Sequence, residues 1–163
     1  MSEETGPQVR KIDGNAEYEA ALDCLFARPG RLLRIFDRKL DSGYNSITRT
    51  ELLRQFLLAN RNNRIQIVLH DATGLQRDCP RLVNLLRLFS HAISINETQP
   101  EAKSVYDPFC IVDECDYVHR FHYDSARGVL ALGDLDTARV LAQRFGEIWE
   151  ASSPAPGATT LGL

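Results

Sequence analysis

Short apolar segments alternate with segments of helical periodicity along the first two thirds of the chain, and this alternation constrains the fold most strongly. Leu32–Asp37, Arg64–Asp71 and His91–Ile95 each have the length and apolar content of a buried strand. The apolar residues of 47–57 and 80–89 recur at helical spacing between those strands. Strands that alternate with helices predict an α/β fold with a partly parallel sheet.

The second half of the chain favours a hairpin. Ser104–Val112 and Tyr117–Tyr123 have strand character, and the polar residues 113–116 between them predict a tight turn. Val129–Leu132 is a further short strand, and Ala138–Trp149 has the apolar spacing of a closing helix. Together these elements predict a mixed central sheet of about six strands flanked by helices, an α/β/α sandwich.

The 163 residues are enough for one domain. Residues 1–14 are polar and have no apolar periodicity, which predicts a flexible N-terminal arm. Residues 15–152 then form a single α/β domain, and 153–163 form a C-terminal tail.

Composition excludes several classes of protein. A hydrophobic fraction of 44% and a charged fraction of 25% are ordinary for a globular protein and exclude a mostly disordered chain. No apolar run approaches the ~20 residues of a membrane helix, so no membrane association is expected. The acidic, polar start of the chain does not resemble a signal peptide, and we expect a cytoplasmic protein with four reduced cysteines.

The net charge of −3 is unevenly distributed. Residues 28–87 contain twelve basic and five acidic side chains, whereas both flanking segments are acidic. An arginine-rich segment is typical of a phosphate or nucleic-acid footprint. The alternative is that basic helices fold against the acidic C-terminal part of the chain and are neutralised by it, and the acidic balance of the whole chain favours that interpretation.

The histidines are the side chains that titrate near neutral pH. His70 ends a strand, which is where open α/β sheets place ligands. His119 and His122 are three residues apart on an expected strand, so they would face opposite sides and would not chelate a metal together. No standard spacing of cysteines and histidines is present, and we expect neither a metal nor a cofactor.

The second half also resembles a known family. Phe109–Asp113, followed by a turn and a strand, together with Phe145–Trp149, is similar to the phospholipase D-like domain, and the likeness extends over about residues 15–152. More closely, the chain resembles an uncharacterised bacterial family, some of whose members are fused to acetyltransferases of the GNAT type. Five segments share the signatures of that family: Arg34–Asp37, Val68–Asp71, Cys79–Leu82, His119–His122 and Thr159–Leu163.

The resemblance implies that the catalytic motif of the phospholipase D-like domain is degenerate here. With Asp113 at the aspartate of the motif, the nucleophilic histidine falls at Tyr106 and the lysine at Pro108. The family's Gly-Ser-x-Asn segment falls at 120–123, which is Arg-Phe-His-Tyr in this chain. Without histidine the phosphohistidine intermediate cannot form there, which favours a non-catalytic protein without deciding the question.

We therefore expect a non-catalytic phospholipase D-like module that binds a partner or a phosphate-bearing ligand. Two alternatives stay open: a phosphodiesterase with a non-standard histidine nucleophile, and a nucleic-acid binder that uses residues 28–87. The resemblance also implies a homodimer, and an acetyltransferase or another protein is a further expected partner. The weak catalytic candidates are His70, His119, His122 and Asp113, and the expected ligand-binding residues are Tyr106, Asp113, His119, Arg120, His122 and Tyr123.

Overall fold

The computed structural model describes residues 6–156, and eight strands within them form one mixed sheet. The order across the sheet is β1-β7-β6-β5-β2-β3-β4-β8, in which β2, β3 and β4 are parallel and every other pairing is antiparallel. The expected mixed α/β sheet is confirmed, with eight strands instead of about six. The strands are β1 (Gln8–Asp13), β2 (Leu32–Asp37), β3 (Arg64–Leu69), β4 (Ile93–Thr98), β5 (Phe109–Val112), β6 (Asp116–Arg120), β7 (Arg127–Leu132) and β8 (Ser152–Pro154).

Helices cover both faces of this sheet. A large apolar cluster joins α1, α2 and α4 to one face, and a smaller cluster joins α5 to the other face. Ser46 caps α2 by accepting a hydrogen bond from the amide of Arg49, and Asp134 caps α5. The helices are α1 (Asn15–Phe26), α2 (Ile47–Leu58), α3 (Leu75–Asp78), α4 (Pro80–Leu88) and α5 (Leu135–Glu150).

The parallel strands determine where a site can form. Because β2, β3 and β4 run in the same direction, they end at one edge of the sheet, which we call the carboxyl edge. β5 is antiparallel to β2 and pairs Phe109 with Phe36, so β5 begins at the carboxyl edge and β6 ends there at Arg120. Along β2, Leu33 and Ile35 face the α1 and α2 layer, whereas Phe36 faces α5.

The two ends of the domain differ from the sequence expectation. Residues 8–13, expected to belong to a flexible arm, form the edge strand β1, in which only Ile12 is buried. An exposed edge strand has no apolar alternation, so its sequence resembles that of a loop. At the other edge, residues 152–154 pair with β4 as β8, although 153–163 were expected to be a tail. The Thr159–Leu163 signature lies outside the described residues.

The second strand of the hairpin is shorter than expected. β6 ends at Arg120, so His122 lies in the following loop and not on a strand. The prediction that His119 and His122 alternate across one strand is therefore wrong. Over residues 6–156, no helix combines the length and apolar character that crossing a membrane requires.

Candidate functional site

A cavity of about 260 Å³ opens at the carboxyl edge, on the side of the sheet that α1 and α2 cover. We call it the carboxyl-edge pocket. Its position beyond the ends of parallel strands is the usual position of ligand sites in open α/β sheets. Charged and aromatic side chains dominate its lining: Glu19, Asp37, Arg38, Lys39, Asp41, Arg49 and Arg120, with Tyr18, Tyr44 and Tyr123.

Arg120 is held rigidly at this pocket. Its Nε donates to the carbonyl of Ser125 at 2.9 Å and its Nη2 donates to the carbonyl of Tyr123 at 2.8 Å. The guanidinium also lies over the ring of Tyr18, with 4.7 Å between Cζ and the ring centroid. Within residues 6–156 no hydrogen bond occupies its Nη1. The side chain is thus fixed while one nitrogen stays available.

Close strand packing beside Arg120 depends on a glycine. Gly128 of β7 pairs with Arg120 of β6, and a Cβ at this position would come within 2.1 Å of the carbonyl oxygen of His119. That contact is with backbone and cannot be relieved by rotating a side chain. Gly128 therefore lets β7 approach the end of β6 where Arg120 is placed.

A second cation lies over an aromatic ring of the same pocket. Cζ of Arg38 is 5.0 Å from the centroid of the Tyr123 ring. The amide of Tyr123 donates to the carbonyl of Tyr106 at 2.8 Å, and the Tyr106 ring stacks on His122 with centroids 5.7 Å apart. Tyr106, His122 and Tyr123 thus form one aromatic group beside the pocket.

Asp37 is the buried acid of the pocket. Its side chain is at the end of β2, the residue is only 6% exposed, and Oδ1 accepts a hydrogen bond from the amide of Arg38 at 2.7 Å. Burial raises the pKa of this carboxyl to about 7, although the charge of Arg120 and the Arg38 amide act in the opposite direction. Asp37 therefore changes its charge near neutral pH.

The side chains beneath the pocket are neutral, and the arginine that α2 contributes to its wall is already ion-paired. Burial raises the pKa values of Tyr44 and Cys110 well above their ordinary ranges, and the Tyr44 hydroxyl is 3.9 Å from Cys110 Sγ. The buried guanidinium of Arg49 pairs with Asp23 at 3.0 Å and with Glu19 at 3.6 Å. Arg49 is thus committed to α1, which leaves Arg38, Lys39 and Arg120 as the cations for a ligand.

A separate ionic cluster lies on the opposite face of the sheet. Asp107 accepts two hydrogen bonds from Arg144 of α5, each 2.7 Å long, and a third from His119 Nε2 at 2.8 Å. Burial alone would raise the pKa of Asp107, but the hydrogen bonds from Arg144 and His119 outweigh it and lower the pKa. His119 faces this cluster, whereas its neighbour Arg120 faces the pocket.

His70 also lies away from the pocket, against the α5 layer. Its Nδ1 is 2.8 Å from the hydroxyl of Thr98 and its Nε2 is 2.6 Å from the carbonyl of Val105. Burial lowers its pKa. Because a carbonyl only accepts, Nε2 holds the proton and Nδ1 accepts from Thr98, so neither nitrogen is available as a nucleophile.

Asp113 lies at the far end of β5, away from the carboxyl edge. Its Oδ1 accepts hydrogen bonds from the amides of Arg31 at 3.0 Å and Leu32 at 2.9 Å, and its φ of 54° forms the turn into β6. A Cβ at Gly30 would approach Asp113 Oδ2 to 3.0 Å. The expectation that Asp113 lies with the other site residues is therefore wrong, because β5 separates them.

Of the expected ligand residues, the structure brings together Tyr106, Arg120, His122 and Tyr123, and it separates His119 and Asp113 from them. Sequence reasoning missed Tyr18, Asp37 and Arg38. The sequence did contain one signal for Asp37. This carboxylate comes at the end of an apolar strand, as His70 and Asp71 do, and strand ends are where open α/β sheets bind ligands.

Ion pairs neutralise part of the basic segment 28–87. Arg28 pairs with Asp116 at 3.1 Å, which is a link to the acidic second half of the chain. Arg54 and Arg77 pair with acids of their own helices, Glu51 and Asp78. The arginines of 28–87 therefore pair with acidic residues from several parts of the fold. The acidic C-terminal part neutralises some of them, but not all.

The fold is similar to that of several solved structures. Nuc, a phospholipase D family member from Salmonella typhimurium, aligns with a TM-score of 0.67 at 12% identity, covering 91% of this chain and 98% of its own. TrmBL2, described as an archaeal chromatin protein with a novel mode of DNA binding, aligns with a TM-score of 0.66 at 12% identity. The alignment covers 91% of this chain and 54% of the TrmBL2 chain. NucT from Helicobacter pylori aligns with a TM-score of 0.56 at 11% identity, and the alignment covers 91% of this chain and 99% of the NucT chain.

These identities show the fold alone, and the expected resemblance to the phospholipase D fold is confirmed. Comparison with curated protein sequences finds no significant match. A family model does match residues 14–161, which is nearly the whole chain. The chain therefore belongs to the family described as "Domain of unknown function (DUF7931)".

Proposed function

We propose that this chain is a non-catalytic module that binds a phosphate-bearing ligand in the carboxyl-edge pocket. The observation that carries the proposal is the fixed guanidinium of Arg120, which has Nη1 unoccupied within the described part of the chain. Arg38 and Lys39 line the same pocket from the end of β2. Preorganised guanidinium groups are suited to phosphate oxygens, because little side-chain entropy is lost on binding.

Three features support binding without catalysis. Tyr106 and Pro108 occupy the positions at which the phospholipase D motif has its histidine and lysine. His119 lies on the opposite face of the sheet from the pocket, bound to Asp107. His70 uses both ring nitrogens in hydrogen bonds. A phosphodiesterase that depends on a histidine nucleophile would need one of these side chains to turn towards the pocket.

A homodimer that pairs at the carboxyl edge is part of the proposal. Two aromatic side chains beside this edge are exposed, Tyr106 at 48% and Phe121 at 60%. Exposed aromatic residues are enriched in protein interfaces. Light scattering after size exclusion should give twice the mass of 18.4 kDa, and a monomeric mass at high concentration contradicts this part of the proposal.

Isothermal titration calorimetry with inorganic phosphate tests the pocket. The wild-type protein should bind phosphate, and Arg120→Ala should weaken binding about tenfold or more, because a charge-assisted hydrogen bond is lost. Arg139→Ala is the matched control, since Arg139 lies on α5 with its side chain 65% exposed. Thermal unfolding of both variants checks that they are folded.

Three results contradict the proposal. They are the absence of phosphate binding, equal affinity in the folded Arg120→Ala variant, and hydrolysis of a chromogenic phosphodiester that His119→Ala abolishes. Tight binding of duplex DNA with a steep dependence on salt, unaffected by Arg120→Ala, would favour the nucleic-acid alternative instead.

A further inference from the structure

The carboxyl-edge pocket combines cations with a buried acid, which is an unusual combination for an anion site. Asp37 lines the cavity, is 94% removed from solvent, and uses Oδ1 to accept from the amide of Arg38. No hydrogen-bond partner for Oδ2 is found among residues 6–156. Because Asp37 lines the cavity, a ligand bound there is in position to donate a hydrogen bond to Oδ2.

The groups around Asp37 do not supply that donor. The hydroxyls of Tyr18 and Tyr44 are engaged with each other, and the Cys110 thiol lies beside Tyr44. Arg120 is bound to two backbone carbonyls and Arg38 lies over Tyr123. The charged and titratable groups that face Asp37 from the elements packed against it are Tyr18 of α1, Arg38, Asp41 and Tyr44 of the segment after β2, Cys110 of β5, and Arg120 of β6.

We propose that Asp37 makes the pocket selective for an oxyanion that holds a proton, namely hydrogen phosphate, over sulfate and phosphodiesters. The proposal rests on phosphate binding in this pocket. One proton is shared in the complex: the P–OH group donates to Oδ2, while Arg120 and Arg38 contact the other phosphate oxygens. No covalent bond forms or breaks.

The chemistry of the excluded anions gives the selectivity. Sulfate has nearly the size and shape of phosphate, but at pH 8.5 it has no proton to donate. A phosphodiester likewise has no P–OH group. Either anion would place an oxygen lone pair against an ionised Asp37, so the hydrogen bond is replaced by repulsion. Loss of a hydrogen bond to a charged group weakens binding about tenfold or more.

Acidification should remove the selectivity. Burial raises the pKa of Asp37 to about 7, so the carboxyl is largely ionised at pH 8.5 and protonated at pH 5.5. A protonated Asp37 donates to sulfate as readily as to phosphate. The affinity for sulfate should therefore rise as the pH falls, and the wild-type protein alone tests the idea, whether or not a variant folds.

The experiment is calorimetric titration of the full chain with inorganic phosphate, sulfate and dimethyl phosphate at pH 8.5 and pH 5.5. We expect phosphate to bind at least about tenfold more tightly than sulfate or dimethyl phosphate at pH 8.5, and the ratio to fall towards one at pH 5.5. Asp37→Asn should lose the preference at pH 8.5, because its amide donates to any oxyanion. Asp124→Asn, at an exposed loop position, should keep it.

The outcomes separate the two proposals. Equal affinities for phosphate and sulfate at pH 8.5 in the wild-type protein overturn the role of Asp37 and leave the phosphate pocket intact. A preference that persists in folded Asp37→Asn also overturns it. If none of the three anions binds at either pH, the phosphate pocket itself is contradicted, and the selectivity with it.

Discussion

The guanidinium of Arg120 lies over the ring of Tyr18, with Cζ 4.7 Å from the ring centroid, although one residue is on the last strand of the hairpin and the other is on the first helix. The contact joins α1 to the carboxyl edge and closes one side of the pocket. A cation fixed in this way is ready to meet an anion without reorganisation. The pocket therefore depends on contacts between distant segments of the chain.

Replacing the ring beneath Arg120 should weaken phosphate binding. Tyr18→Leu removes the aromatic face that orients the guanidinium, and we expect a loss of about twofold to fivefold in affinity, corresponding to roughly 0.5–1 kcal/mol. Tyr18→Phe keeps the ring and should bind phosphate almost as tightly as wild type. Calorimetry on the two variants measures the difference. Equal affinities in Tyr18→Leu and Tyr18→Phe would show that the ring does not position Arg120.

A methyl group at Gly128 should destabilise the fold. The added Cβ would lie 2.1 Å from the carbonyl oxygen of His119, so β6 and β7 must separate, at a cost of roughly 2 kcal/mol or more in the free energy of unfolding. Gly146→Ala is the control, because Gly146 lies within α5 and a Cβ there meets no atom within 4 Å. That variant should gain about 0.5–1 kcal/mol from helix propensity. Urea denaturation of both variants measures their free energies of unfolding. A Gly128→Ala variant as stable as wild type would contradict the close approach of β6 and β7.

The Asp107 cluster should contribute stability that acid removes. The pKa of Asp107 is lower in the folded protein than its ordinary value of ~3.9, so its contribution is complete above that value and is lost as the pH falls through the lower folded pKa. At pH 6, Asp107→Asn should lower the free energy of unfolding by about 1–2 kcal/mol, because Arg144 loses a charged partner.

Urea denaturation at pH 6 and pH 3 measures this loss, and the gap between the variant and wild type should shrink at pH 3. Asp124→Asn, whose side chain is 71% exposed, should change the free energy of unfolding by less than about 0.5 kcal/mol at both pH values. A gap for Asp107→Asn that is the same at pH 3 as at pH 6 contradicts the assignment.

Asp37 should have the opposite pH dependence. Because its pKa is raised to about 7 in the folded state, the folded protein binds more protons than the unfolded chain between about pH 4 and pH 7, and stability falls as the pH rises through that range. Without phosphate, we compare the free energy of unfolding of Asp37→Asn with that of wild type at two pH values. Relative to wild type, the variant should be roughly 2–4 kcal/mol more stable at pH 8 than at pH 5. Parallel pH profiles for the two proteins would contradict a buried, titrating Asp37.

The sequence predicted the centre of the sheet better than its edges. Leu32–Asp37 and Arg64–Leu69 are buried on both faces, and such strands have continuous apolar runs. β1 has one buried residue and β8 includes Pro154, so neither has the pattern of a strand. Their positions follow from pairing with β7 and β4, which a local pattern does not contain.

The pocket was predictable only in part, for a related reason. Arg120 and Tyr123 follow from the hairpin and from the resemblance to phospholipase D-like domains. Asp37 joins them because β5 lies next to β2 and β6 lies on the other side of β5, an order that hydrophobic periodicity does not determine. The rule that ligands bind beyond parallel strand ends applies to Asp37 as well as to His70. Tertiary packing then turns His70 into a buried structural residue.

The most direct test of the account is a crystal structure of the full chain grown with inorganic phosphate at pH 8.5. One phosphate should lie in the carboxyl-edge pocket, with Arg120 Nη1 and the Arg38 guanidinium on its oxygens and Asp37 Oδ2 within hydrogen-bond distance of a further oxygen. A pocket filled by protein side chains, or a phosphate bound instead by His119 and Arg144 on the opposite face, would contradict it.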